Sequence, residues 1–241
     1  MSSLYFYNCH IDASMVDNHA YLRMDGIFNI LQTMLTEYLK QYKADNISIK
    51  NNFNAAWLIT KVLVKINKMP LWGSNITVKS YVVQKKSAKI ILETIAKDKA
   101  DNILFVAHDE MCPINLEKRR ILRLTDIEFD PILLESNYLD NFEIIATDNL
   151  ELSDSFNVKY IDIDFTNHTN NVSYIRYIIN DLGLDFFEKY NITKIDVRYL
   201  AESRINDKLS IYKNDNGNNV ILLIKNDEKE VFLIKVDYIN K

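Results

Sequence analysis

Glycine and proline are scarce in this chain, four and three residues out of 241. The glycines, Gly26, Gly73, Gly183 and Gly217, are too scattered to form GxGxxG or GxxxxGKS/T, which excludes the common phosphate-cradling nucleotide folds. The same scarcity leaves no GxSxG elbow for a serine hydrolase of the α/β type. The two cysteines, Cys9 and Cys112, have neither CxxC nor metal-ligand spacing, so no disulfide framework or zinc site is expected, and a reducing cytoplasm fits best. No apolar run approaches the roughly 18 residues of a membrane span, and Met1 to His10 lacks a basic region followed by an apolar stretch, so a soluble, unexported protein is expected. Positive charge is short as well. The 29 Lys and Arg against 33 Asp and Glu give a net charge of −4, which supplies no general field for nucleic acid.

What is present is core-forming material. Hydrophobic residues make up 48% of the chain, enough for one compact globular body or two small ones. From Ile27 the apolar positions Ile30, Leu31, Met34, Leu35, Tyr38, Leu39 and Tyr42 follow helical spacing, predicting a helix over Met24 to Lys43. Four runs rich in Val, Ile and Thr follow: Ala56 to Ile66, Asn75 to Gln84, Ala88 to Lys97 and Ile103 to Cys112. They read as antiparallel strands separated by short turns. The pattern then recurs, with a predicted strand over Asn157 to Ile163 and a helix over about Asn170 to Lys189. Strands are predicted over Lys194 to Glu202, Lys208 to Lys213, Asn219 to Lys225 and Glu230 to Ile239. This repetition argues for a tandem α+β duplication, each copy wrapping a sheet around its helix. Between the copies, Thr125 to Val158 holds no Lys or Arg but nine acidic residues from Asp126 to Asp154. It reads as a linker whose Ile132, Leu133, Leu134, Phe142, Ile144 and Ile145 pack along the body. The expected division is a unit over 1–124, an acidic linker over 125–154 and a second unit over 155–241.

The densest polar cluster, Asp162 to Asn171, lies where a strand meets the second predicted helix. Helix N-termini present free N–H groups that can hold a developing oxyanion. Asp164, Thr166 and His168 alternate, so an extended segment would turn an acid, a hydroxyl and an imidazole to one face. On composition alone, the same residues also suit a helix cap and an Asx turn with His168 on the surface.

This segment, continued by Val172-Ser173-Tyr174-Ile175-Arg176-Tyr177, resembles the D-x-N-x-H-x-N-N-x-x-Y signature of the acyl-acyl carrier protein thioesterases of plants and bacteria. Ala56-Trp57-Leu58-Ile59, Pro70 and Gly73, and Lys118-Arg119-Arg120-Ile121-Leu122-Arg123 resemble the first half of that family. Tyr199-Leu200-Ala201-Glu202-Ser203 resembles its Y-x-x-E strand. The resemblance implies a double hotdog fold whose first unit shapes the acyl pocket and whose second is catalytic. The implied reaction is hydrolysis of fatty acyl thioesters on acyl carrier protein, in fatty acid biosynthesis, with no metal or organic cofactor.

Carried over by position, Asp164 matches the motif's aspartate, His168 its histidine and Glu202 the strand glutamate. Either carboxylate could activate water, while His168 positions the thioester or protonates the leaving thiolate. Thr166 stands where the family has asparagine, replacing an amide with one rotating hydroxyl. Ser203 stands where plant members often carry cysteine, so a Cys nucleophile is unavailable there. Asn170, Asn171 and Trp57 are expected to contact substrate, and Lys118, Arg119, Arg120 and Arg123 to dock an acidic carrier. Trp57 and Trp72 read as core or pocket wall. Val16-Asp17-Asn18-His19 echoes the motif, but a surface turn is expected there. His108-Asp109-Glu110 lacks a second His at ligand spacing. Two rivals stand beside this reading, an acyl-CoA thioesterase and a non-catalytic acyl-binding protein, and a homodimer is left open.

Overall fold

A computed structural model describes residues 3–138 and 140–241 of the chain. The chain divides into two compact units, Met1–Asn141 and Phe142–Lys241. In the first, the strands β1 (Tyr5–His10), β2 (Ala55–Ile66), β3 (Asn75–Lys86), β4 (Lys89–Lys97) and β5 (Ile103–Asn115) form an antiparallel sheet in the order β1-β3-β4-β5-β2. Helix α1 (Met24–Gln41) packs on β1, β3 and β4, and its buried stripe is the one its periodicity predicts: Ile27, Ile30, Leu31, Met34, Leu35, Tyr38 and Leu39.

A second helix, α2 (Asn46–Phe53), is absent from the sequence reading. Asp45 caps it by accepting from the Ile47 and Ser48 amides, and Asn54 closes it in the left-handed region at φ 50°. It has eight residues and buries only Ile49, so hydrophobic periodicity has little to detect.

The second unit repeats the plan. Its strands are β6 (Glu151–Asn157), β7 (Tyr190–Tyr199), β8 (Lys208–Asp215), β9 (Asn219–Asn226) and β10 (Lys229–Asn240), in the order β6-β8-β9-β10-β7. Every neighbouring pair is antiparallel. The single long helix α3 (Asn171–Lys189) packs on β7. On its buried face Tyr174 stacks on Phe232, with ring centroids 5.1 Å apart.

Several expectations need correction. The strand foreseen over Asn157 to Ile163 lies earlier, at β6, while Tyr160–Asp162 is one 3-10 turn. β6 is polar and almost wholly exposed, an edge strand held by ladder bonds to β8 and hence without an apolar signature. β7 ends at Tyr199, because the Leu200 and Ala201 amides both turn to the Val231 carbonyl, so Glu202 sits on a loop. Helix α3 is interrupted at Gly183, with φ 73° and ψ 173°. Of the linker residues expected to pack on the body, Leu134 does so against Tyr81, Ile95 and Val106, whereas Ile144 is 99% exposed; Ile127 and Phe129, the latter edge-on to Trp57, also join the core. Trp72 is exposed at a turn where its amide donates to the Ala20 carbonyl. Cys9 and Cys112 are free and buried. Among the described residues no helix is long and apolar enough to cross a membrane.

Candidate active site

Asp164 to His168 is a closed turn in place of the extended segment that alternation suggested. The Asp164 amide donates to the His168 carbonyl at 2.9 Å, the Asn167 amide to the Asp164 carbonyl at 3.1 Å, and Asn167 takes φ 63°. Asp164 organises it in the manner of an Asx turn, its Oδ1 accepting from the Thr166 amide at 2.7 Å and the Thr166 hydroxyl at 2.6 Å. The three side chains meet because the chain turns back on itself.

From there a line of polar contacts runs outward. Thr166 Oγ1 lies 3.1 Å from Nδ1 of His168, and His168 Nε2 lies 3.3 Å from Oε2 of Glu202. The imidazole and the carboxylate are part-exposed, at 19% and 31% of their side-chain surface, so a solvent molecule can reach both. The single hydroxyl hydrogen of Thr166 goes to Asp164, which leaves the oxygen's lone pairs for the imidazole. This pattern assigns the donor hydrogen to Nδ1. A neutral ring with that tautomer turns a lone pair toward Glu202, so the contact is attractive when a proton is held between Nε2 and Oε2.

The other expected positions are occupied as follows. Asn170 caps α3, its Oδ1 accepting from the Val172 amide at 2.8 Å, and the Asn171 carbonyl accepts from the Tyr199 hydroxyl at 3.3 Å. Trp57 is buried in the first unit, its indole donating to the Ala44 carbonyl at 2.7 Å. Lys118, Arg119, Arg120 and Arg123 are exposed around a turn after β5, in which the Asn115 amide donates to the Arg120 carbonyl and the Arg119 amide to the Asn115 carbonyl. Buried His108 places Nε2 2.9 Å from Glu93, which also accepts from Tyr81 and Ser136. Those donors outweigh the cost of burial and hold the Glu93 carboxyl below its ordinary range. Among the described residues no group of three or more His, Cys, Asp or Glu side chains is arranged to hold a metal ion.

The resemblance around Asp17 goes deeper than a surface turn. α1 begins at Met24 and α3 at Asn171, 147 positions later, and Asp17 precedes its helix by the same interval as Asp164. The backbone bonds repeat too: the Asp17 amide donates to the Tyr21 carbonyl at 2.8 Å, the Ala20 amide to the Asp17 carbonyl at 3.1 Å, and the His19 amide to Asp17 Oδ1 at 2.9 Å. The Leu22 amide donates to the Pro70 carbonyl where the Thr169 amide donates to that of Ser203. The first unit thus presents Tyr21 and Met69 at the positions of His168 and Glu202. Comparing offsets from the two helix starts would have revealed the match of Asp17 with Asp164 and of Tyr21 with His168 in the sequence, whereas that of Met69 with Glu202 needs the backbone bond.

Comparison with known proteins agrees with this duplication. A model of the acyl-ACP thioesterase N-terminal domain matches residues 3–132, and one of the C-terminal domain matches residues 145–239. The chain belongs to the acyl-ACP thioesterase family. Among curated relatives, this family member is 21% identical over 159 residues to a chloroplastic acyl-[acyl-carrier-protein] hydrolase of Cuphea viscosissima, covering 61% of this chain and 38% of the relative. It is 22% identical over 161 residues to the chloroplastic palmitoyl-acyl carrier protein thioesterase of Arabidopsis thaliana, covering 62% and 39%. The chain spans about two fifths of the length of the curated relatives it matches. Among solved structures, an acyl-ACP thioesterase from Bacteroides thetaiotaomicron matches with a TM-score of 0.84 at 19% identity, over 99% of this chain and 100% of that one. The 12:0-ACP thioesterase from Umbellularia californica matches with a TM-score of 0.83 at 14% identity, over 100% and 99%. The fold is the α+β tandem hotdog.

Proposed function

We propose that the chain hydrolyses fatty acyl thioesters carried on acyl carrier protein, releasing free fatty acid in fatty acid biosynthesis. The observation that carries this reading is the continuous line Asp164, Thr166, His168 and Glu202 in the second unit. Family membership supplies the thioester as substrate.

Asp164 Oδ1 is already committed to two donors from Thr166, so Glu202 is the carboxylate better able to take a proton from water. The water oxygen bonds to the thioester carbonyl carbon as its proton passes to Glu202, with the Asn171 amide at the start of α3 facing the oxyanion. The Asn170 amide is given to the Asp162 carbonyl at 2.7 Å, so Asn170 serves the site only as the cap of α3. The C–S bond then breaks, and the proton on His168 Nε2 goes to the thiolate. Transfer from protonated Glu202 to His168, across a gap of 3.3 Å in the unliganded site, resets the pair.

The first unit, with Tyr21 and Met69 where the second has His168 and Glu202, shapes the acyl pocket, with Trp57 part of its wall. The exposed cations Lys118, Arg119, Arg120 and Arg123 receive the acidic carrier. A reducing compartment such as the cytoplasm suits two free, buried cysteines. The test is release of free thiol from acyl-carrier-protein and acyl-CoA esters of short, medium and long chains. Turnover concentrated on the carrier-bound esters is expected. Preference for CoA esters would make the chain an acyl-CoA thioesterase, and binding without turnover of either would make it an acyl-binding protein.

A further inference from the structure

Directly behind the acid–base pair lies a cluster of three buried hydroxyls. Ser203 Oγ is 2.6 Å from Thr169 Oγ1 and 2.8 Å from the Tyr174 hydroxyl, and the Thr169 amide donates to the Ser203 carbonyl at 2.9 Å. Ser203 is 1% exposed, Tyr174 2% and Thr169 6%, so each hydroxyl depends on the others for partners that water would otherwise supply. Thr169 follows His168 directly in the chain, and Ser203 follows Glu202. The cluster therefore ties together the residues next to the two members of the pair. Tyr174, a residue of α3, anchors it to β10 through its stacked contact with Phe232.

The first unit provides an internal control. Its corresponding turn keeps the backbone bond, from the Leu22 amide to the Pro70 carbonyl at 2.8 Å. Leu22, Pro70 and Ile27, all buried, stand where the second unit has Thr169, Ser203 and Tyr174. Tyr21 and Met69 stand where it has His168 and Glu202. Turn and backbone clip thus form with apolar side chains alone, and the fold has no need of the hydroxyls. They occur in the unit that also has the acid–base pair.

We propose that Thr169, Ser203 and Tyr174 are positioning residues that fix the separation of His168 Nε2 and Glu202 Oε2 for the hydrolysis proposed above, on which this inference rests. A directed network of hydrogen bonds sets side-chain register more sharply than apolar packing, and an error of about 1 Å between reacting groups can cost 100-fold in rate. Ser203 is consumed by this role. Its oxygen is buried between two hydroxyls, which removes it as a nucleophile.

The test compares the wild type with Thr169→Val/Ser203→Ala and with Thr169→Ser, measuring kcat and KM on an acyl-carrier-protein ester and solving the crystal structure of each. The double variant should lose at least about tenfold in kcat with KM within about twofold, and its Nε2–Oε2 separation should pass beyond hydrogen-bonding range. Thr169→Ser, which keeps the hydroxyl, should restore both. If the double variant fails to fold, Tyr174→Phe carries the same test, since it removes one hydroxyl and keeps the stacked ring. An unchanged kcat, or an unchanged Nε2–Oε2 separation, overturns the inference. Should the wild type hydrolyse no thioester, the functional reading falls, and the separation alone decides the positioning role.

Discussion

The hydroxyl of Thr166 stands 3.1 Å from Nδ1 of His168, with its own hydrogen given to Asp164. One threonine oxygen thus both accepts from the ring and holds the turn, two tasks that an amide side chain would divide between two atoms. Thr166→Val, which keeps the shape and deletes the oxygen, should lower kcat about 10- to 100-fold. Thr166→Ser should stay within about threefold of wild type, and Thr166→Asn should remain active. Steady-state thiol release on the three variants checks this. Wild-type turnover in Thr166→Val would remove the residue from the site.

Docking is tested separately from chemistry. Arg119→Glu with Arg120→Glu reverses two exposed charges far from the site in sequence. It should raise KM for a carrier-bound ester on the order of tenfold and leave KM for a short acyl thioester unchanged. An equal effect on both substrates would dissociate this turn from carrier recognition.

Asp109 is buried in the first unit with Oδ2 lacking a hydrogen-bond partner among the described residues, and burial pushes its carboxyl up to about 7 from 3.8. The folded state therefore keeps a proton that the unfolded chain releases near pH 4. Between those values the unfolded state binds fewer protons, so stability falls as pH rises from about 4 to about 7, then levels off. Asp109→Asn should remove that slope and gain on the order of 1–4 kcal/mol over wild type at pH 7.5. Urea unfolding at pH 4.5 and 7.5 measures it. A wild-type stability that rises across this window, with Asp109→Asn parallel to it, would refute the assignment.

Gly183 interrupts α3 at φ 73° and ψ 173°, a conformation essentially reserved for glycine, although a Cβ there would meet nothing within 4 Å. Gly183→Ala should destabilise the protein by about 1–2 kcal/mol through backbone strain alone. Were the helix continuous, alanine would stabilise it instead, so the sign of the change in chemical denaturation decides.

What the sequence made legible follows from period and spacing. The α1 stripe and the strands β2 to β5 are long and strongly patterned, and each lies within a few residues of its prediction. β6 and α2 escaped because neither buries an apolar face. The four candidate residues were named through resemblance, but for the geometry the sequence misled: alternation suggested an extended strand, while Asp164 bonds its own downstream backbone into a turn. The Thr169, Ser203 and Tyr174 cluster was invisible because 29 residues separate Tyr174 from Ser203 and only the fold brings them together.

The most direct test of the proposed hydrolytic site is kcat for Glu202→Gln beside wild type on an acyl-carrier-protein ester, with thermal unfolding run on both. Glutamine keeps the size and the contact with His168 but cannot take a proton from water. The account predicts a loss of at least about 100-fold in kcat with the fold intact. Turnover within about twofold of wild type, in a folded Glu202→Gln, would contradict it.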